Sequence, residues 1–344
     1  GQSGKELPHL SMAIPMTRPD TKEILARSGP LLALFSMALI AALIKDKPLF
    51  FLLNELATFG PLFWLHLTHL GEIVVAVSLF SVFIDKQSKL LWSLAISMAL
   101  SILVVQGLKH AIDAPRPPAV LAVDEIHVII PAFRTLRPPD PTIDYVKLID
   151  ARPDTAAAWQ NIQSDPNSPE ARYWVPRMGG IATKEKFGIA YYQETLDLER
   201  GTYGGIYRPS ARSFPSGHTA TIVCALTLVM LHFRKRKWAW GLALAALVVG
   251  VSRIVVGVHW PLDVAVGGLI GWAAAVLGTW ISYRTPIAST QIGHRVIALL
   301  PGLAALILLT RKPVYPDIAL FEVIVGVAGL LLAATGLWRL YQRN

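Results

Sequence analysis

One short polar stretch interrupts an otherwise apolar part of this sequence, and its residue types suggest chemistry. Arg253, His259 and Asp263 lie at the mouth of a hydrophobic segment, where an ionisable group is costly unless it is paired. His259 and Asp263 are four residues apart, so a helical turn would bring their side chains together. A carboxylate placed in this way fixes the tautomer of an imidazole and stabilises its cation. The stretch therefore predicts a nucleophilic or basic histidine.

The composition indicates an integral membrane protein. Of the 344 residues, 53% are hydrophobic and 16% are charged, whereas a soluble globular chain carries about 25% charged residues. The formal net charge of +9 does not predict a nucleic-acid partner, because the cations are not gathered on one soluble domain. They fit the excess of basic residues at the cytoplasmic ends of membrane spans. The single cysteine, Cys224, excludes an intramolecular disulfide and a cysteine-built metal site.

The apolar runs predict an all-α protein with eight membrane spans, which would put both termini on the inner side. The spans are expected at 29–44, 72–84, 90–108, 214–233, 238–251, 262–283, 296–310 and 318–338. The most basic run, 234–237, marks an inner end. The apolar segment 48–71 carries several polar residues, so we interpret it as an outer connection that is interfacial, re-entrant or an ordinary hydrophobic helix. His66, His69 and Glu72 are expected near the membrane interface, where one of them could line a substrate entrance.

The chain is expected to divide into five segments. They are a cytoplasmic N-terminal segment at 1–28, spans one to three at 29–117, an extramembrane insertion at 118–212, spans four to six at 213–284, and two additional spans at 285–344. The insertion has 12 acidic and 11 basic residues, many prolines and no long apolar run, so it is expected outside the bilayer. Residues 1–11 begin with Gly1 rather than methionine and are interpreted as a processed or engineered extension.

On this topology three polar stretches reach the same outer face. They are 109–117 after span three, 215–218 at the start of span four, and 252–263. Their three cations, Lys109, Arg116 and Arg253, suit phosphate oxygens, since arginine offers a planar donor fork and lysine a point charge. At the start of span four, Ser216 and Gly217 would offer helix N-terminal N–H groups to an anion, which the glycine lets approach closely. The set predicts a site for an oxyanion with several negative charges.

These residues resemble the type 2 phosphatidic acid phosphatase superfamily of membrane lipid phosphatases. The family pattern is K-x6-R-P, then P-S-G-H, then S-R-x5-H-x3-D. No position is missing in this chain, which has Lys109…Arg116-Pro117, Pro215-Ser216-Gly217-His218 and Ser252-Arg253…His259…Asp263. The resemblance covers roughly 29–284, implies a six-helix lipid phosphatase core and is greatest to the bacterial phosphatidylglycerophosphate phosphatase branch. The insertion at 118–212 and the two additional C-terminal spans depart from that core.

The resemblance implies a role for each matched residue. His259 would attack phosphorus and form a phosphohistidine, while Asp263 holds its other nitrogen. His218 would protonate the leaving oxygen and later activate water. The phosphoryl oxygens would be bound by Lys109, Arg116, Ser216, Gly217 and Arg253. No metal or other cofactor is expected, because the cations already neutralise the phosphate and the sequence has no acidic cluster to hold magnesium.

The expected function is hydrolysis of a lipid phosphate or diphosphate at the outer leaflet of a bacterial inner membrane, with the site facing the periplasm. Undecaprenyl diphosphate, phosphatidylglycerophosphate and phosphatidic acid are the candidate substrates, and 118–212 is the candidate for headgroup selection. A lipid A phosphatase or a lipid-to-lipid phosphotransferase would use the same site, and both stay open. Haloperoxidase chemistry is disfavoured, because the vanadium haloperoxidases, which share the site of this family, are soluble proteins and this chain is not expected to be. A non-enzymatic lipid carrier would leave the matched polar positions without a purpose.

Overall fold

The structure is a computed structural model. It describes residues 20–112, 114–121, 126–129, 212–233, 236–313 and 315–342. The predicted extension at 1–11 lies outside these ranges, as does nearly all of the predicted insertion at 118–212. Every regular element within the described ranges is helical, which confirms the all-α prediction.

The described ranges contain nine α-helices of seven or more residues. They are α1 (Thr21–Asn54), α2 (Pro61–His69), α3 (Ile73–Leu79), α4 (Ser88–Ile112), α5 (Gly217–His232), α6 (Ala239–Val255), α7 (Pro261–Arg284), α8 (Gln291–Thr310) and α9 (Ala319–Gln342). In this part of the chain five helices, α1, α4, α7, α8 and α9, are long and apolar enough to cross a membrane. The pair α2 and α3, bent by 69°, makes a sixth if it is one span. The chain is thus a multi-pass helical membrane protein, and the count of eight spans stays a prediction.

The first helix is longer than the first predicted span. It begins at Thr21, where the Asp20 carboxylate accepts the Glu23 N–H at 2.7 Å as an N-cap, and it continues to Asn54 across a kink at Lys45. Pro48 accounts for the kink, because it has no N–H to donate and its ring crowds the preceding turn. Residues 48–54, which were predicted to begin an outer connection, are thus a helical stretch after the kink, and α2 is helical as well, in agreement with the interpretation of 48–71 as hydrophobic helix.

The central helix of the bundle is α7, and glycines let its neighbours approach it. It packs against α1, α4, α5 and α6. A Cβ added at Gly267 would lie 2.4 Å from the carbonyl oxygen of Ser216, and one added at Gly271 would lie 2.2 Å from that of Ala220. No methyl group fits at these distances, so glycine is what allows α5 and α7 to touch. This contact brings the N-terminal turns of the two helices together.

The bundle has two ends with different polar contacts. At one end, which we call the site end, α4, α6 and α8 finish and α5, α7 and α9 begin. There the Ser216 N–H donates to the carbonyl oxygen of Asp263 at 2.9 Å. At the opposite end, the Lys89 ammonium donates to the carbonyl oxygen of Ser282 at 3.1 Å. The polar stretches predicted from the sequence gather at the site end, because it is there that α4 and α6 end and α5 and α7 begin.

Two side chains of α1 bind the two ends of the turn between α6 and α7. Just after the kink, the Asp46 carboxylate accepts the Leu262 N–H at 2.8 Å in the first turn of α7. At the end of α1, the buried Asn54 amide donates to the carbonyl oxygen of Val255 at 3.0 Å and to that of His127 at 2.8 Å. These contacts fix both ends of the turn that carries His259.

The C-terminal helices α8 and α9 pack against each other and against α3. The segment between them returns to the site end and carries Tyr315, which is 5% exposed. Tyr315 and Ile318 share an apolar cluster with residues of the α6–α7 turn, including Val256 and Val258. The two additional helices therefore contact the loop that leads to His259.

Candidate active site

His259 lies in the tight turn between α6 and α7. Gly257 adopts a φ of +80° there, and a Cβ at this position would lie 2.3 Å from the carbonyl oxygen of His127. Only glycine satisfies both conditions. α7 then begins at Pro261, whose fixed φ suits a first helical position. The turn buries His259, which is 2% exposed.

The two ring nitrogens of His259 have different partners. Nδ1 lies 3.1 Å from Oδ2 of Asp263, and Nε2 lies 3.1 Å from Nη1 of Arg116. A guanidinium can only donate a hydrogen bond, and an ionised carboxylate can only accept one. The neutral ring therefore carries its proton on Nδ1 and its lone pair on Nε2. Nε2 is the atom that can act as a nucleophile.

The surroundings of His259 keep its ring neutral. Burial is the main reason that the pKa of His259 lies well below its usual range, and the positive charges of Arg116, Arg253 and Lys109 lower it further. A histidine with a lowered pKa is unprotonated at neutral pH. The Nε2 lone pair is therefore available without a prior loss of a proton.

Asp263 is held by donors from two directions. Its Oδ2 accepts the backbone N–H of Trp260 at 2.9 Å, which closes the N-terminal turn of α7, and it also accepts the hydroxyl of Ser213. The Ser213 Oγ is in addition 3.4 Å from Nδ1 of His259. These bonds fix the carboxylate against the imidazole. Ser213 was not predicted, because no spacing pattern in the sequence links it to Asp263.

The start of α5 lies beside this pair as predicted. Ser216 is the N-cap, and its Oγ accepts the Thr219 N–H at 3.4 Å and the Thr219 hydroxyl at 2.9 Å. The first N–H groups of a helix have no partner within it, and the positive end of the helix dipole points the same way. Gly217 is the first residue of the helix. The N-terminus of α5 can thus bind an anion next to His259.

His218 lies in the first turn of α5. Its Nε2 is buried and makes no hydrogen bond within the described ranges. The corner between α2 and α3 covers it, since a Cβ added at Gly71 would lie 2.8 Å from the carbonyl oxygen of His218. A buried ring nitrogen costs free energy when it is left unbonded. It is therefore ready to bond an oxygen atom of a substrate.

The three predicted cations are buried at the site end. Lys109, Arg116 and Arg253 are 9%, 7% and 3% exposed. The Lys109 ammonium donates to the carbonyl oxygens of Arg212 at 2.7 Å and Ser213 at 3.2 Å. Arg116 Nη1 donates at 2.8 Å to the carbonyl oxygen of Val258 as well as to His259. Among the described residues these three cationic side chains surround the single carboxylate of Asp263, so a phosphate group would be a favourable partner for them.

The site also contains residues that the sequence did not point to. Arg253 Nη1 donates to the hydroxyl of Thr68 at 2.8 Å and to that of Tyr315 at 3.5 Å. His69, which was expected near the membrane interface, is buried inside the bundle at the site end: it is 0% exposed and its Nε2 lies 2.9 Å from Oε1 of Glu322 on α9. Because these partners come from distant parts of the chain, no local pattern could have indicated them.

The part of the chain that carries the three motif stretches is similar in sequence to known proteins. The sequence model of the PAP2 superfamily matches residues 90–286, which is more than half of the chain and includes all three motif stretches. This confirms the resemblance seen in the motifs.

Three relatives illustrate the similarity. The chain is 47% identical over 101 residues to undecaprenyl-diphosphatase BcrC of Bacillus subtilis, covering 29% of this chain and 50% of the relative. It is 33% identical over 128 residues to the bacitracin transport permease protein BcrC of Bacillus licheniformis, covering 31% and 60%. It is 39% identical over 91 residues to phosphatidylglycerophosphatase B of Escherichia coli, covering 25% and 36%. The aligned parts thus span between 36% and 60% of these relatives' lengths. The family match and the gathered motifs lead to one conclusion: this chain belongs to the PAP2 superfamily.

Proposed function

We propose that this protein is a lipid phosphatase that hydrolyses a phosphomonoester or diphosphate headgroup through a phosphohistidine on His259. The observation that carries the proposal is the position of His259 between Asp263 and Arg116, which leaves the lone pair on Nε2. The anion-binding start of α5 lies next to it. The names of two relatives, an undecaprenyl-diphosphatase and a phosphatidylglycerophosphatase, describe enzymes of this chemical class.

In the first half of the reaction, Nε2 of His259 attacks phosphorus. The bond between phosphorus and the lipid oxygen breaks, and His218, whose protonated form is favoured by the negative charge of the bound phosphate, gives its proton to that leaving oxygen. The imidazolium that forms keeps its Nδ1–H bond to Asp263, which stabilises the new positive charge. The products of this step are a lipid alcohol, or a lipid monophosphate, and phosphohistidine.

The cations stabilise the charge that builds up on the phosphoryl oxygens. Arg116 Nη1 already lies 3.1 Å from the attacking nitrogen, so it reaches the oxygens of a group that is attacked there. Arg253 and Lys109 are buried close by and oriented before the substrate arrives. Such preorganised donors act more strongly in a buried site than in water.

In the second half, water attacks the phosphohistidine. His218, which has lost its proton, now accepts one from the water molecule. The bond between phosphorus and Nε2 breaks, inorganic phosphate leaves, and His259 returns to its neutral form. The site would face the outer leaflet of a bacterial inner membrane, because the most basic predicted inner loop, at 234–237, lies at the opposite end of the chain's α5.

Phosphate release from a panel of lipids tests this proposal. Purified full-length protein in detergent would be assayed with undecaprenyl diphosphate, phosphatidylglycerophosphate, phosphatidic acid and a lipid A phosphate. We expect turnover of at least one lipid and a loss of about 10³-fold or more in His259→Ala, because the nucleophile is gone. The expected intermediate would be trapped by denaturation in alkali, in which phosphohistidine is stable.

His110→Ala is a matched control, since His110 is exposed and its one hydrogen bond to a described residue is local, to the carbonyl oxygen of Gln106 at 2.7 Å. It should keep wild-type activity. Full turnover in His259→Ala would refute the mechanism. Radiolabelled phosphate that appears on a second lipid instead of in solution would identify a phosphotransferase.

A further inference from the structure

Arg253 is held by side chains from outside its own helix. It lies in the last turn of α6, and its Nη1 donates to Thr68 Oγ1 at 2.8 Å and to the Tyr315 hydroxyl at 3.5 Å. Thr68 belongs to α2, and Tyr315 precedes α9. Both lie outside residues 90–286, the range that the family shares. The arginine of the shared motif thus depends on parts of the chain that the family model does not include.

Both bonds use the same terminal nitrogen of the guanidinium. Nε of Arg253 is buried and has no hydrogen-bond partner within the described part of the chain. A guanidinium presents its N–H groups in one plane, and the edge formed by Nε and a terminal nitrogen suits two oxygens of a phosphate. The two hydroxyl groups that bind Nη1 therefore fix the orientation of the guanidinium plane. The edge that contains Nε stays open to a substrate phosphate.

The two hydroxyl groups are themselves fixed. Thr68 is 0% and Tyr315 is 5% exposed, and the Tyr315 ring packs edge-on against the ring of His69 with centroids 5.3 Å apart. His69 in turn contacts Glu322 of α9 at 2.9 Å. Buried groups of this kind have few alternative rotamers. Tyr315 therefore cannot move away from Arg253 without disturbing α2 and α9.

A second contact joins the same helices. Arg311, directly after α8, makes a two-pronged ion pair with Glu72, with both distances at 3.2 Å, and its Nη2 lies 3.6 Å from Oε2 of Glu322. Glu72 caps α3 by accepting the Val75 N–H at 3.2 Å. These contacts connect the α8–α9 pair to the α2–α3 corner at the site end.

We propose that the α8–α9 pair is part of the active site, with Tyr315 and Thr68 as positioning residues that orient Arg253 toward the phosphoryl group. This inference rests on the proposed function, since it assigns Arg253 to a phosphate. Without the two hydroxyl groups the long arginine side chain samples several rotamers, and ordering it during catalysis costs free energy. Loss of the two hydroxyl groups should therefore weaken the binding of phosphate-like anions and lower kcat. Contacts with the lipid tail should change less.

Three variants test the positioning role: Thr68→Val, Thr68→Ser and Tyr315→Phe. Thr68→Val keeps the shape of the side chain and removes the acceptor, and we expect kcat/KM to fall about 10-fold and the inhibition constant for vanadate to rise by a similar factor. Thr68→Ser retains the hydroxyl and should restore both values to within about twofold. Tyr315→Phe keeps the ring against His69, and its longer bond predicts a smaller loss of about threefold.

Thr58→Val is the matched control, because Thr58 is an exposed threonine whose hydroxyl bonds, in the described part of the chain, only to the carbonyl oxygen of Glu55. It should behave as wild type. In an Arg253→Ala background, Thr68→Val should have no further effect, since its target is absent. A melting curve for each variant identifies any loss of folding. If Thr68→Val does not fold, Thr68→Ser and Tyr315→Phe still test the role of the two hydroxyl groups.

The outcomes separate the two proposals. If wild type releases phosphate and His259→Ala does not, but Thr68→Val and Tyr315→Phe match wild type, the positioning role is refuted and the proposed function stands. An equal loss from Thr68→Val with and without Arg253 would also refute the positioning role. If wild type releases no phosphate from any lipid and does not bind vanadate, the proposed function fails and the positioning role fails with it.

Discussion

Two regions hold the candidate site, and they do so by different means. In α5, α6 and α7 the site is fixed by backbone geometry: a helix N-cap at Ser216, a left-handed glycine at Gly257 and a glycine contact at Gly267. In α2, α8 and α9 it is supported by side-chain contacts between distant residues, such as His69 with Glu322. In the proposed mechanism the first region supplies the reacting groups, and the second orients Arg253. One site can thus combine a shared motif with packing that is particular to one chain.

Replacement of Asp263 by Asn should show the largest effect and should leave the first region folded. The amide can donate to Nδ1 of His259, which favours the tautomer with the proton on Nε2 and removes the nucleophilic lone pair. We expect kcat to fall about 10³- to 10⁴-fold, as for other histidines that lose their orienting carboxylate. Phosphate release measures the loss, and a melting temperature near that of wild type would show that the fold is kept. An active variant would contradict the tautomer assigned to His259.

Replacement of Glu322 by Gln should affect the second region. Glu322 is 1% exposed and contacts both His69 and Arg311, so the substitution disturbs the buried contact with His69 and removes a negative charge near Arg311, which keeps its pair with Glu72. Disturbing a buried polar contact in this way costs about 1–3 kcal/mol. We expect a clearly lower melting temperature in detergent, with residual activity at low temperature because His259 and Asp263 are untouched. A variant that melts like wild type would show that the C-terminal pair is not held by this contact.

Replacement of Gly267 by Ala should separate the two kinds of support. The added methyl group would lie 2.4 Å from the carbonyl oxygen of Ser216 and would push α5 away from α7. Overpacking of this kind costs about 1–3 kcal/mol. Both the melting temperature and kcat should fall, since Ser216 and Asp263 would separate.

Gly241→Ala provides the control for that substitution. Nothing lies within 4 Å of a Cβ at Gly241, which is an exposed position of α6. Alanine should be neutral or stabilise the helix by up to about 1 kcal/mol. Equal melting temperatures for the two glycine variants would show that α5 and α7 do not depend on the close contact.

The sequence predicted the first region well because its residues form local patterns. Lys109 and Arg116 share one stretch that matches the family pattern, and His259 and Asp263 are four residues apart, the spacing of neighbours on a helical turn. The contacts of the second region join residues that are far apart in the chain, such as Arg253 and Thr68, which are 185 residues apart. Pairing of this kind depends on the tertiary arrangement of α2 and α9, so the polarity of His69 did not indicate its buried contact with Glu322.

The extent of α1 was also missed, for a different reason. Lys45 and Asp46 looked like the end of a span, since charged residues commonly mark one. In the folded chain the backbone leaves helical geometry at Lys45, and a second helical stretch, in which Asp46 accepts the Leu262 N–H, runs on to Asn54.

This arrangement of α1 limits which changes in chain length the protein can accept. Asp46 and Asn54 are eight residues apart, roughly 12 Å along a helix, and each is bonded to one end of the turn that carries His259. One inserted residue would rotate Asn54 by about 100° relative to Asp46, so both bonds could not form together. The second half of α1 therefore works as a spacer of fixed length, and insertions or deletions in it would be selected against even though none of its residues takes part in the chemistry.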